Sequence, residues 1–159
     1  MNKTYVLLGS NMGNSEELLS TAIHEIEMNV GKLIQSSGLY ATAAWGNTDQ
    51  PDFLNQVIVI ETKQSAKETL QTVLSIEKKM GRVRTVKNAP RIIDIDILFF
   101  NKEIIHQPDL IVPHPEIQNR RFVLIPLNEI APRFIHPVFN KSVHELLKLC
   151  NDQLNVKKF

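Results

Sequence analysis

A single cysteine, Cys150, leaves this 159-residue chain with no intrachain disulfide and no Cys-x-x-Cys metal or redox motif. That usage fits a reducing compartment, and a cytoplasmic location is expected. An excess of charge of either sign is also missing. Lys and Arg number 18 against 17 Asp and Glu, a formal net charge of +1. Bulk attraction to nucleic acid or to an anionic membrane therefore has no basis, and neither is expected as a partner. No apolar run approaches the roughly 20 residues that cross a bilayer, and the run after Met1 is too short for a signal peptide. With no repeat, low-complexity tract or long linker, one domain over residues 1–159 is expected. The motifs Gly-x-x-x-x-Gly-Lys-Ser/Thr, Gly-x-Gly-x-x-Gly, Gly-x-Ser-x-Gly and His-Glu-x-x-His do not occur, which argues against P-loop, dinucleotide, hydrolase and zinc classes.

What is present is a pattern of strands broken by two good helices. Tyr5–Leu8 reads as a strand. Asn14 with Glu17 then caps a helix whose Leu18, Leu19, Ala22, Ile23, Ile26 and Val30 keep helical spacing up to Gly31. Leu33–Thr42 and Phe53–Thr62 read as strands, with a turn-rich loop over Ala43–Asp52. Ser65 with Glu68 makes a capping box for a second helix, striped by Leu70, Val73, Leu74 and Met80 and ending at Gly81. A polar, basic loop runs from Arg82 to Pro90, and a strand follows over Arg91–Phe100. Asn101-Lys102-Glu103 can close a hairpin to Ile104-Ile105-His106, and only short helical turns are expected between Pro113 and Ala131. Ser142 with Glu145 caps a short last helix. The pattern predicts an α+β sandwich, a mostly antiparallel sheet with helices packed on it.

The strand Arg91–Phe100 carries the strongest chemical signal. Asp94 and Asp96 point to one face, which Leu98 and Phe100 continue, while Ile93, Ile95, Ile97 and Phe99 make the other. Two neighbouring carboxylates repel, and a hard divalent cation offsets that repulsion; a wet edge strand is the other reading. Arg82, Arg84 and Arg91 lie close by in sequence, and arginine forks grip phosphate oxygens. Acids beside arginines make the charge pattern of a metal–polyphosphate site, although solvated or acid-paired arginines would look the same in sequence. Glu77 sits on or beside the buried stripe of the second helix, where a charge needs a partner, and Arg82 is the natural one. His114 is held between Pro113 and Pro115 and is followed by Arg120 and Arg121, an arrangement suited to polyphosphate. Phe53 and Asn55 share a strand face after the loop that carries Thr42, Ala43 and Trp45. An aromatic plate beside a carboxamide suits a flat, nitrogen-rich ring, and a core phenylalanine with an edge amide is the alternative.

Together these residues resemble the 6-hydroxymethyl-7,8-dihydropterin pyrophosphokinase family of folate biosynthesis. The likeness rests on Leu8-Gly9-Ser10-Asn11, Tyr40-Ala41-Thr42, Gln50 to Asn55, Glu77, Gly81 to Arg84, Pro90 to Ile97, Val112-Pro113-His114 and Asn119 to Phe122. The resemblance implies a ferredoxin-like fold and transfer of pyrophosphate from ATP to the hydroxymethyl group of the pterin, releasing AMP. It further implies two Mg²⁺ ions on Asp94 and Asp96, with Arg82 and Arg91 acting in catalysis beside them. ATP, the co-substrate, would meet Glu77, Arg82, Arg84, Arg91, Leu98, His114 and Arg120. The pterin would meet Thr42, Ala43, Trp45, Phe53, Asn55 and Phe122. A monomer is expected, with the basic loop closing as a lid. The chain departs from the family at Lys87-Asn88-Ala89, where Arg-Trp-Gly is common. It departs again at Ala43 and Ala44, where proline is usual, and at Phe53, where tyrosine is frequent. A non-catalytic ferredoxin-like binding module and a two-metal phosphodiesterase are the rival readings.

Overall fold

Seven consecutive residues, Thr4 to Ser10, are buried on both faces of one strand, which therefore runs through the middle of the molecule. The computed structural model describes residues 1–43, 51–82 and 92–159. In chain order its elements are β1 (Asn2–Ser10), α1 (Ser15–Asn29), β2 (Gly31–Ser36), β3 (Tyr40–Thr42), β4 (Phe53–Thr62), α2 (Ala66–Lys79), β5 (Asp94–Phe100), β6 (Ile105–Gln107), β7 (Leu110–Val112), α3 (Arg121–Ile130), α4 (Val143–Leu149) and β8 (Val156–Lys158). The main sheet runs β5-β1-β4-β3-β8, with β2 on the same edge of β4 as β3, and every pairing is antiparallel. If β2 and β3 count as one interrupted strand, the path β1-α1-β2/β3-β4-α2-β5 is the βαββαβ order of a ferredoxin-like α+β fold.

Strand alternation divides the core between the two faces. Val6, Leu8, Ile58, Ile60 and Ile95 pack under Leu19, Ala22, Ile26, Val73 and Ile76 of α1 and α2. Tyr5, Leu7, Val57, Val59 and Phe99 pack against Val123, Leu124, Leu127, Val143 and Leu146 of α3 and α4. The caps form where the sequence predicts them. The Asn14 side chain accepts from Glu17 N–H, and Ser65/Glu68 and Ser142/Glu145 are complete capping boxes.

Several elements differ from expectation. The expected strand Leu33–Thr42 starts at Gly31 and breaks around Ser37, because the Ser37 hydroxyl accepts the Val57 N–H that a backbone carbonyl would otherwise take. The stripe of α2 runs through Ala66, Thr69, Val73, Ile76 and Glu77, which leaves Leu74 41% exposed. Leu98 is an extra residue in β5, since Tyr5 pairs with Phe99 and Val6 with Ile97. Beyond that bulge the faces exchange: Phe99 joins Tyr5, while Phe100 joins Ile97 in a third cluster. β6 pairs with β7 rather than with β5. The region expected to hold only short turns contains the ten-residue helix α3, whose Arg120 N-cap makes no side-chain cap bond and whose interior holds Pro126. Both features erase the usual helix signals.

His136 is 2% exposed between the rings of Phe99 and Phe139, and its Nδ1 accepts the N–H groups of Val138 and Phe139 at 3.1 and 3.3 Å. Burial pushes its pKa down to about 4 from 6.5. Between those values the unfolded chain binds a proton that the folded one refuses, so stability falls as pH drops through that window. Urea unfolding should show lower stability at pH 4.5 than at pH 7, with His136 contributing on the order of 1 kcal/mol to the difference after solvent screening is allowed for. His136→Asn, which keeps an acceptor but does not titrate, should flatten that part of the profile.

Candidate functional site

Sheet register brings the chemistry together. Gly9 pairs with Asp94 on one side and with Asn55 on the other, and Asn55 pairs with Tyr40. Leu7 faces Asp96, and Phe53 faces Thr42. All but Gly9, which has no side chain, project from the same sheet face, so two acids and an amide–aromatic group lie in adjoining rows. Above them is a cavity of about 430 Å³, lined by Thr42, Ala43, Phe53, Asn55 and Phe122 together with Asp94, Asp96 and Arg120. Eight of the residues picked out by sequence thus share one concavity. Gly9 is the hinge between its halves. A Cβ there would lie 2.8 Å from Asn55 Oδ1, so glycine is what allows the amide to settle beside β1. Asn55 is 4% exposed, and its Nδ2 donates to Thr42 Oγ1 at 3.4 Å.

The acidic end is organised from α2. Gly81 takes φ +95° and stops the helix with paired bonds, Gly81 N–H to Lys78 O and Arg82 N–H to Glu77 O, each 3.0 Å. That stop turns Arg82 back toward Glu77. Glu77 is 2% exposed and accepts the Ile95 N–H at 2.7 Å, a group on the outer edge of β5 that the sheet leaves unpaired. Arg82 Nη1 meets Glu77 Oε2 at 3.4 Å and Ile93 O at 3.2 Å, and it also donates to Asp94 Oδ1. The expected Glu77–Arg82 pair is therefore present. The Arg82 fork, expected at the triphosphate, is turned toward the chain's own acids, and its Nε is buried with no hydrogen bond among the described residues.

His114 stands beside this end. Its N–H donates to Leu98 O at 2.9 Å, and its Nδ1 accepts the Glu116 N–H at 3.1 Å. Burial first, then the charge of Arg120, holds its pKa below the ordinary histidine value. The neutral ring, with Nδ1 accepting, carries its proton on Nε2, which makes that atom a donor. The Arg120 guanidinium lies 5.7 Å from the centre of the Phe122 ring. Leu98, expected at ATP, has its side chain 1% exposed in the core, and its backbone carbonyl holds His114.

Arg84, Arg91 and Trp45, the Lys87-Asn88-Ala89 departure, Ala44 and most of the expected lid lie outside the described residues. The cavity wall also holds Leu7, Gly9, Glu116, Asn119, Asp152 and Leu154, to which the sequence reading gave no site role. Gly9, Glu116 and Asn119 sit within or beside the motifs quoted above, but Asp152 and Leu154 carry no local signal. Among the described residues no group of three His, Cys, Asp or Glu side chains could hold a metal ion. Asp94 and Asp96 remain a pair of hard oxygen donors facing the cavity, a set suited to Mg²⁺, which keeps waters and phosphate oxygens for its other positions.

The family model for 7,8-dihydro-6-hydroxymethylpterin-pyrophosphokinase matches residues 5–132. A 2-amino-4-hydroxy-6-hydroxymethyldihydropteridine pyrophosphokinase of Methylorubrum extorquens is 37% identical over 148 residues, covering 92% of each protein. A protein of the same name from Aquifex aeolicus is 38% identical over 147 residues, 91% of this chain and 90% of that one. The folic acid synthesis protein fol1 of Pneumocystis carinii is 37% identical over 139 residues, but the match spans only 19% of its length. In fold, the chain is similar to Plasmodium falciparum HPPK-DHPS crystallised with pteroate, with TM-score 0.78 and 21% identity over 93% of this chain and 42% of that one.

Gly9→Ala should fold, because its backbone is not in the left-handed region, yet it should displace the Asn55 amide. We expect the Asn55–Thr42 contact to be lost, read as shifted Asn55 side-chain amide signals by NMR, with the melting temperature nearly unchanged.

Proposed function

The chain belongs to the 7,8-dihydro-6-hydroxymethylpterin-pyrophosphokinase family, and on that premise we propose that it transfers pyrophosphate from ATP to the hydroxymethyl group of 6-hydroxymethyl-7,8-dihydropterin, releasing AMP, in folate biosynthesis. The carrying observation is that one cavity joins an aromatic–amide end to an acid–arginine end. Neither a pterin site nor a nucleotide site alone would need both. The same proposal takes residues 1–159 as a single catalytic unit that works as a monomer in the cytoplasm.

In this reading Phe53 and Phe122 hold the flat ring between them, and Asn55 and Thr42 bond its edge. Arg120 and the Nε2–H of His114 face the triphosphate, with Glu77 holding Arg82 where it can be shared between Asp94 and phosphate oxygens. A primary alcohol is a weak nucleophile, so the work of the residues is to place it in line with the β-phosphorus and to keep water away. No strong protein base is needed, and a neutral His114 fits a binding role better than a proton-transfer one. Mg²⁺ held by Asp94 and Asp96 would neutralise the triphosphate and steady the charge that builds as the α,β bridge breaks.

Phosphorus NMR of ATP, Mg²⁺ and the pterin should show AMP and a pterin diphosphate. AMP released equally without pterin would mean hydrolysis instead. Asp94→Ala and Asp96→Ala should stay folded and lose turnover on the order of 10²-fold or more. Phe122→Ala should weaken the pterin more than ATP; the reverse ranking would exchange the two ends of the cavity.

A further inference from the structure

The family match stops at residue 132, but the cavity does not. Residues 151–159 return from α4 and lie along the outer side of β3. β8 pairs there with Thr42↔Val156, Ala41↔Lys157 and Tyr40↔Lys158, and Phe159 N–H donates to Leu39 O at 2.8 Å. Burial alternates along this segment. Asp152, Leu154 and Val156 are partly buried, while Gln153, Asn155 and Lys157 are exposed. Asp152 and Leu154 both line the cavity.

Asp152 has a second task. Its Oδ2 accepts the N–H of Arg121 at 3.0 Å, and its Oδ1 accepts the Leu154 N–H at 2.9 Å. Arg121 is the first residue of α3, a helix whose own N-cap residue, Arg120, supplies no side-chain cap. Asp152 thus acts as a cap supplied from 31 residues away, a carboxylate placed where a helix favours negative charge. The residues on either side of the bond are Arg120 and Phe122, one for each end of the cavity. A further tie holds the same three segments together. Glu129 of α3 accepts from Gly38 N–H and Tyr40 O–H, and it sits 3.7 Å from Lys158 Nζ.

We propose that the 151–159 segment is a working wall of the pterin end: Asp152 is a positioning residue that sets Phe122 through the first turn of α3, and Leu154 closes the ring's edge. The proposal rests on the pterin reading above. Leu154→Ala removes contact surface while leaving the cap in place. Asp152→Ala removes both bonds, and Asp152→Asn keeps an oxygen for one of them.

Pterin and ATP-analogue affinities of the full-length variants, measured separately by calorimetry with thermal melts alongside, decide the matter. Asp152→Ala and Leu154→Ala should each weaken pterin binding by about tenfold, with ATP-analogue affinity within about twofold, and Asp152→Asn should recover much of the loss. A uniform fall in both affinities that tracks the melting temperature would reduce the segment to a structural role and overturn the proposal. So would pterin affinity unchanged in both alanine variants. A wild-type chain that binds no pterin would overturn the functional reading itself, and this inference with it.

Discussion

Much of the site depends on one buried carboxylate. Glu77 accepts the edge N–H of Ile95 and faces Arg82, which in turn reaches Asp94. Burying a lone carboxylate costs several kcal/mol, roughly, so its retention requires both partners. The arrangement closes the exposed side of an edge strand, ties a helix end to that strand, and sets the first acid of the pair. Structure and chemistry cannot be separated here, since the same oxygen that completes the sheet also places the cation next to Asp94.

The two faces of the sheet divide the labour. Under α1 and α2 the packing is mostly apolar, with Thr69 and Glu77 the polar members of the buried stripe of α2, and alternation along β1, β4 and β5 supplies the apolar part. The opposite face is apolar only at one end, where α3 and α4 cover it; toward Gly9, Asn55 and Asp94 it opens into the cavity. A sheet filled on one side can hold side chains on the other to close tolerances, because register rather than loop conformation sets their spacing.

Legibility in the sequence followed the range of the interactions. The caps at Asn14, Ser65 and Ser142 are local, and they were readable. So was the acid pair, because two-residue alternation is a local rule, and so was the Glu77–Arg82 pair, which spans one helix stop. The break at Ser37 depends on a contact with Val57, and the exchange of faces after Leu98 on pairing with β1, so neither was visible in its own stretch. α3 was missed because its cap is Asp152, far along the chain, and because Pro126 lies inside it. Asp152 and Leu154 escaped for the same reason: what makes them part of the site is the pairing of β8 with β3.

Gly9 gives the row Asp94–Gly9–Asn55 a consequence of another kind. The middle member contributes nothing that projects, so no partition rises between acids and amide. On the proposed function, two chemically unlike guests share a single undivided room, near enough for a group to pass from one to the other. The capacity to join them is built from a missing methyl.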